Sequence, residues 1–331
     1  MEGQSIPVSR IGLSDLAESP IDWTEFSLSR PDLIPLRPKK TLLPHQEDTI
    51  AAVIEGFQSS DRGKLIMACG TGKTFTSLRL AEQIVLKGGR VLFLAPSILL
   101  VAQTLREWTA QATDPIHALV VCSDARVGRD VEDLRTHDLA YPATTDAGKL
   151  ARTAGKLDGR RRVVVFSTYQ STEVVAEAQR AGFGEFHLII CDETYRTTGL
   201  TLPGEDPSDF VKVHSDTHVR GAKRLYMTAT PRIYAEASKT KADENEAVLY
   251  SVDEVETFGP EFYRLGFSKA VERDLLSNYK VLIVAVEQDK MGDVVNRHNR
   301  AFKLDDKEAI DITFATKIIG SWKGLSKQVL F

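Results

Sequence analysis

Four short stretches of this sequence are apolar almost without interruption: Val91 to Ala95, Val163 to Ser167 (VVVFS), Leu188 to Asp192 (LIICD) and Leu225 to Thr228. A strand with one wet face alternates apolar and polar residues, so an unbroken apolar run needs cover on both sides. That requirement points to a parallel sheet between two layers of helices. The intervening sequence supplies the helices. His45 to Phe57 places Ile50, Val53, Ile54 and Phe57 on one face. Thr74 to Lys87 carries Leu78, Leu80, Ala81, Ile84 and Val85 and is closed by Gly88-Gly89, and Ile98 to Ala110 reads as a third helix. Lys64 to Ala68 and Ala118 to Cys122 add strands. The expected fold class is α/β, a doubly wound parallel sheet over residues 41–235.

The flanks differ in character. Residues 1–40 read as a linker, punctuated by Pro20, Pro31, Pro35 and Pro38, with Trp23 and Phe26 expected to dock on the core. Residues 124–160 are polar and read as an insertion. Residues 236–278 read as a connector. Within it Ala235 to Ala247 is charged and helical in pattern, Phe262 to Leu265 is a strand, and Ser268 to Leu276 is a short amphipathic helix with Ser268 as N-cap. Tyr279 to Val286 (YKVLIVAV) is a buried-strand signal that opens a second α/β unit over residues 279–331. That stretch is too short for a lobe like the first, so an incomplete start of a second lobe is expected.

Charge and cysteine usage narrow the function classes. With 42 Lys and Arg against 46 Asp and Glu, the net charge is -4. The chain is no bulk polyanion binder, and any nucleic-acid contact has to come from a local groove. Cys69, Cys122 and Cys191 lie far apart beside apolar runs, as buried free thiols in a reducing compartment would. The N-terminus lacks a basic segment leading into an apolar one. The longest apolar stretch, Val91 to Ala102, is too short for a membrane span and contains Pro96. A cytoplasmic protein without membrane contact is expected.

Two motifs carry chemistry. Ala68-Cys69-Gly70-Thr71-Gly72-Lys73-Thr74 stands between a strand and a helix. Glycines let the backbone curl with its N–H groups inward, and the helix adds its N-terminal partial charge. Gly70, Thr71, Gly72, Lys73 and Thr74 would cradle phosphates, Lys73 reaching the β- and γ-phosphates and Thr74 offering its hydroxyl to Mg²⁺. Met67 occupies the first glycine position of the full pattern. At the end of an apolar strand, Asp192 suits Mg²⁺ coordination and Glu193 suits positioning and deprotonating an attacking water.

In order along residues 43–232, these segments resemble the motifs of superfamily 2 helicases and translocases of the DEAD/DEAH-box type, so the sheet is expected to be a RecA-like P-loop lobe. Leu43-Pro44-His45-Gln46 is similar to the Q motif, which implies that Gln46 bonds the adenine edge. Gly70 to Thr74 matches motif I and Asp192-Glu193-Thr194-Tyr195-Arg196 motif II. Ala95-Pro96-Ser97 with Gln103 is similar to motif Ia, and Ser167-Thr168-Tyr169-Gln170 falls in the motif Ib region. Thr228-Ala229-Thr230-Pro231-Arg232 matches motif III. The resemblance implies ATP and Mg²⁺ as cofactors, catalytic roles for Lys73, Asp192 and Glu193, and coupling roles for Tyr195, Thr228 and Thr230. It also implies DNA contacts at Pro96, Ser97, Thr168 and Tyr169.

Asp61 to Ser77, His137 to Asp146 and Leu225 to Tyr234 look closer still to the motor of type ISP restriction–modification enzymes. The partner implied is double-stranded DNA read with low sequence specificity, together with a second motor lobe, nuclease or methyltransferase polypeptide. Residues 19–40 would connect to the nuclease. The chain departs from the family at Thr194 and Tyr195, where DEAH is usual, and shows no motif V or VI after residue 280. An arginine from motif VI is worth about 10³–10⁵ in rate in related hydrolases, so the isolated chain is expected to bind ATP better than it hydrolyses it. The alternative is a non-catalytic nucleotide- or DNA-binding remnant of a truncated motor gene. A small-molecule kinase explains neither Gln46 nor Thr228 to Thr230.

Weaker signals read as ordinary surface or core. Gly159-Arg160-Arg161-Arg162 is a basic cluster at a strand entry, open to DNA phosphates but more readily a solvated surface. His214 and His218, with Asp216 between them, lack further ligands and read as solvated. Trp108 is expected to pack under the sheet with Leu105 rather than stack on a base. Leu325 to Phe331 is an apolar end.

Overall fold

The unbroken apolar runs are strands of one sheet. The computed structural model describes residues 12–19, 21–122, 143–157, 159–201, 208–236, 238, 240 and 248–278. In chain order the strands are β1 (Arg62–Met67), β2 (Arg90–Ala95), β3 (His117–Val121), β4 (Ala143–Thr144), β5 (Val163–Thr168), β6 (Leu188–Cys191), β7 (Gly199–Thr201), β8 (Arg224–Thr228), β9 (Val248–Tyr250) and β10 (Glu261–Leu265). β7 and β9 make an antiparallel ribbon, and the other eight form a sheet in the order β10-β1-β8-β6-β2-β5-β3-β4. Every pairing in that sheet is parallel. All its strands therefore end on the same edge, where open α/β sheets carry their ligands.

The period of two runs through both faces. Val91, Phe93, Leu188, Ile190, Leu225 and Met227 face one core; Leu92, Leu94, Ile189, Cys191 and Tyr226 face the other. The helices are α1 (Leu13–Glu18), α2 (Pro44–Ser59), α3 (Lys73–Ile84), α4 (Ile98–Gln111), α5 (Ala147–Gly155) and α6 (Thr172–Ala178), with short ones at Val255–Phe258 and Phe267–Glu272. α2, α3 and α4 cover the first core with Val53, Leu78 and Trp108. Leu150 of α5, Val175 of α6 and the less regular chain at Val213, Val219 and Phe258 cover the second. No helix among the described residues is long and apolar enough to cross a membrane.

The chain divides into two units, residues 1–276 and 277–331. The strand and second-lobe expectations for Tyr279 to Val286 and residues 279–331, and the apolar end Leu325 to Phe331, lie outside the described residues. So does most of the stretch His137 to Asp146. The sheet continues past residue 235, because β10 pairs with β1 as its edge strand and is more than a connector. The final helix begins at Phe267 with Gly266 as N-cap, in place of Ser268. Within the polar stretch 124–160, α5 is an ordered helix whose N-cap Asp146 accepts from the Lys149 N–H at 2.8 Å. Glu236, Ser238 and Thr240 are helical, and residues 241–247 lie outside the described ones. Trp23 does not dock on the core. It is 39% exposed, meets Phe26 edge-on at 5.4 Å, and donates to the Leu16 carbonyl at 2.7 Å.

Candidate functional site

β1 ends at Met67 and α3 starts at Lys73, so the five residues between them make the glycine loop. Gly70 (φ +83°) and Gly72 (φ +85°) take left-handed backbone, which L side chains resist. Gly72 is also hemmed in, since a Cβ there would stand 2.3 Å from Gln46 Nε2. The loop is tied from within and from α2. Thr71 Oγ1 donates to the Ala68 carbonyl at 2.7 Å. The Thr71 carbonyl accepts from His45 Nε2 (2.9 Å) and Gln46 Nε2 (3.3 Å). A carbonyl only accepts, so His45 carries its proton on Nε2, and its buried Nδ1 has no partner among the described residues. Gln46 Oε1 accepts from the Leu43 N–H at 3.0 Å, so this amide links the N-terminus of α2 to the loop. Lys73 Nζ curls back to the Met67 carbonyl at 3.3 Å. Trp108 is buried under α3 and donates to the Thr74 carbonyl at 3.1 Å, which makes it a packing residue.

The acidic pair follows β6, two strands across the sheet. The Asp192 N–H continues the ladder to the Leu94 carbonyl at 2.9 Å. Its side chain is buried, and Oδ1 accepts from the Glu193 N–H at 3.0 Å. Burial, with the Glu193 charge beside it, pushes the Asp192 carboxyl up to about 6, while the Lys73 charge works in the opposite direction. Lys73 and Asp192 thus feel each other across the site. Glu193 itself sits in left-handed backbone at φ +50°, a conformation rare outside glycine. Beyond it Thr194–Thr197 forms a 3₁₀ turn.

That turn is anchored by residues far from it in sequence. Tyr169 Oη donates to the Asp192 carbonyl at 2.8 Å. Thr194 Oγ1 lies 2.9 Å from both the Cys191 and the Met227 carbonyls, its one proton shared between them. Thr194, one place before Tyr195, therefore ties motif II to the strand that leads to motif III. Tyr195 is half-buried with the Arg196 guanidinium 5.7 Å over its ring. Thr228 is buried and exchanges hydrogen bonds of 3.2 Å with the backbone of Thr230, which is exposed.

Several expectations are corrected. Tyr169 is fully buried, stacked on Phe210 at 5.2 Å, and Thr168 is buried with Oγ1 3.2 Å from Ser171 Oγ. Their side chains brace the site from inside and offer no surface to DNA. Pro96 and Ser97, at the end of β2, are half-buried, and Ser97 Oγ accepts from the Leu100 N–H at 3.3 Å as the cap of α4. Cys69 is exposed, because the loop lifts it off the end of β1, whereas Cys122 and Cys191 are buried. Arg162 is no solvated arginine; Nε and Nη2 donate to the Val85 and Glu82 carbonyls at 2.6 and 2.8 Å and close the C-terminus of α3. His214 is buried between the Thr197 carbonyl and Tyr226 Oη, at 2.9 Å from each. Sequence reading missed His45, Thr194, His214 and Tyr226 as parts of the site. His45, next to Gln46, and Thr194, inside the motif II segment, carried a local signal; His214 and Tyr226 did not.

Residues 39–233, more than half of the chain, match the family described as "Type III restriction enzyme, res subunit". The chain belongs to that family. Among solved structures it is similar to the ATP-dependent type ISP restriction–modification enzyme LlaBIII bound to DNA, at 40% identity and a TM-score of 0.71. That match covers 95% of this chain and 20% of that one. It is similar also to a nuclease-deletion mutant of the type ISP enzyme LlaGI in complex with a DNA substrate mimic (33% identity, TM-score 0.56, 85% of this chain and 26% of that one). Among curated proteins it is similar to the probable helicase A859L of African swine fever virus (isolate Tick/Malawi/Lil 20-1/1983), 24% identical over 245 residues and 73% of this chain. The chain spans about a quarter of the length of that viral relative, 24%. This res-family chain is a superfamily 2 helicase-like motor domain related to the type ISP restriction enzymes.

Proposed function

We propose that this chain is the ATP-binding lobe of a DNA-dependent translocase of the restriction–modification kind. The observation that carries the reading is the placement of the glycine loop after β1 and the acidic pair after β6 on the same edge of one parallel sheet. The side chains suit Mg²⁺–ATP. Gly70 and Gly72 give the loop its left-handed turns, and Lys73 and Thr74 open α3. Asp192 is a buried carboxyl whose ionised form burial disfavours and a cation beside it would favour. Among the described residues no cluster of three or more His, Cys, Asp or Glu could hold a metal unaided. That agrees with Mg²⁺, which takes one or two carboxylates plus substrate phosphates. When bound, the cation supplies charge neutralisation at the phosphates.

The chain's own residues then divide the work. The loop N–H groups and Lys73 hold and orient the phosphates. Thr74 and Asp192 hold the cation. Glu193 orients water and takes its proton. Gln46, already on the loop carbonyl, adjoins the adenine side. DNA would track over the sheet edge that carries Pro96 and Ser97, by phosphate contacts of low sequence specificity. The similarity to LlaBIII and LlaGI, both solved with DNA or a DNA mimic, supports that partner. The test is steady-state ATP hydrolysis by the chain with and without double-stranded DNA, beside Glu193→Gln. DNA-stimulated turnover lost in the variant is the expected result. Mg²⁺–ATP binding with no turnover in either condition would instead make the chain a nucleotide-binding lobe that does not hydrolyse by itself.

A further inference from the structure

His214 stands 17 residues from Thr197, on the 3₁₀ turn Lys212–His214, yet it closes the far end of the turn that follows the acidic pair. The Thr197 carbonyl can only accept, so Nε2 bears the proton and Nδ1 accepts from Tyr226 Oη, both at 2.9 Å. Tyr226 lies on β8, and the residue after it, Met227, offers the carbonyl bonded by Thr194. The 3₁₀ turn is thus fastened to one strand at both ends, through Thr194 at its start and through His214 and Tyr226 at its finish.

The imidazole is not there for packing. It stacks on Tyr250 (5.0 Å, 28°) and meets Phe258 edge-on at 4.7 Å, an aromatic nest in which a phenyl ring would sit as well. What histidine adds is the donor to Thr197. What that donor secures is a turn preceded by Glu193 in left-handed backbone, a conformation that lasts only where the surroundings enforce it.

We propose that His214, oriented by Tyr226, is a positioning residue that holds Asp192 and Glu193 in the geometry required to receive a nucleotide-bound divalent cation. The proposal rests on the nucleotide-site reading given above. It assigns His214 no contact with nucleotide or metal. Removing a partner that orients metal-holding groups typically costs about 10–100-fold in metal affinity.

The experiment needs no turnover. The affinity of the full chain for the β,γ-imido analogue of ATP is measured with Mg²⁺ and with EDTA, for wild type, His214→Phe, His214→Gln and Tyr226→Phe, with melting temperatures alongside. The glycine loop sets the affinity in EDTA, which all four proteins should share. Mg²⁺ should tighten wild-type binding, and His214→Phe should lose about tenfold of that gain. His214→Gln, which keeps a donor near the Nε2 position, should recover it, and Tyr226→Phe should fall between. If His214→Phe keeps the full Mg²⁺ gain, or if glutamine rescues no better than phenylalanine, the positioning role is overturned while the nucleotide site stands. If wild type binds the analogue in neither condition, the nucleotide-site reading fails and the inference falls with it.

Discussion

The glycine loop and the acidic turn stand at the ends of β1 and β6, with β8 between them, and both are left-handed where they matter. They are held there in different ways. The loop takes its positive φ on its own glycines, Gly70 and Gly72, Thr71 bonds Ala68 and α3 begins at once, while His45 and Gln46 of α2 bond the Thr71 carbonyl from outside. The acidic turn has no glycine. Glu193 takes the strained conformation itself, and Tyr169, His214 and the Met227 carbonyl bonded by Thr194 hold the turn from other elements. A turn enforced by distant side chains can answer to movements of the elements that hold it.

The largest test of this contrast is the pH dependence of stability without ligand. Asp192 is pushed up to about 6, so its contribution to stability is lost as pH rises from about 4 to about 6. Buried His214 is held down to about 4, so its contribution is lost as pH falls from about 6.5 to 4. Each amounts to about 3 kcal/mol by the linkage between pKa and stability, and the two slopes oppose each other. Urea denaturation between pH 4 and 7 should therefore show stability rising with pH in Asp192→Asn and falling with pH in His214→Phe. Parallel profiles in the two variants would remove the opposed burial of these groups.

Next in size is the loop. Gly72→Ala forces an L residue into left-handed backbone against Gln46, and should weaken Mg²⁺–ATP binding by about 2 kcal/mol, roughly thirtyfold. A loss below threefold would show that Gln46 yields and that the loop is less fixed than its geometry implies. Thr194→Val keeps the shape and deletes the hydroxyl shared by the Cys191 and Met227 carbonyls. It should cost about 1.5 kcal/mol in urea denaturation, and equal stability would mean that the tie to β8 carries no load. The smallest effect is a gain. Glu193→Gly relieves the left-handed strain and should stabilise the chain by about 0.5 kcal/mol after glycine's own flexibility is deducted. A loss there would mean that the Glu193 side chain makes a stabilising contact that outweighs its strain.

The same contrast explains what the sequence disclosed. The central strands were legible because burial on both faces leaves them unbroken apolar runs, as in VVVFS and LIIC. β10 is legible as a strand at Phe262 to Leu265 but not as part of the main sheet, because an edge strand, half-exposed as EFYRL is, lacks that signature. Glycine, lysine and threonine in succession spelled out the loop. The acidic pair could be read but its supports could not, since their bonds to the turn span 17 and 23 residues. Tyr169 looked like a surface residue of the motif Ib region and His214 like a solvated one. Both are buried, because each spends its polar atoms on a backbone carbonyl of the acidic turn, a pairing that no local pattern announces.

In the function proposed above, one nucleotide sits between these two differently built elements. Calorimetric titration of Mg²⁺–ATP into the full chain, beside Lys73→Ala and Asp192→Asn, tests it most directly. One site is expected in wild type, severely weakened by Lys73→Ala with or without Mg²⁺, and weakened by Asp192→Asn only when Mg²⁺ is present. Unchanged affinity in Lys73→Ala would contradict it.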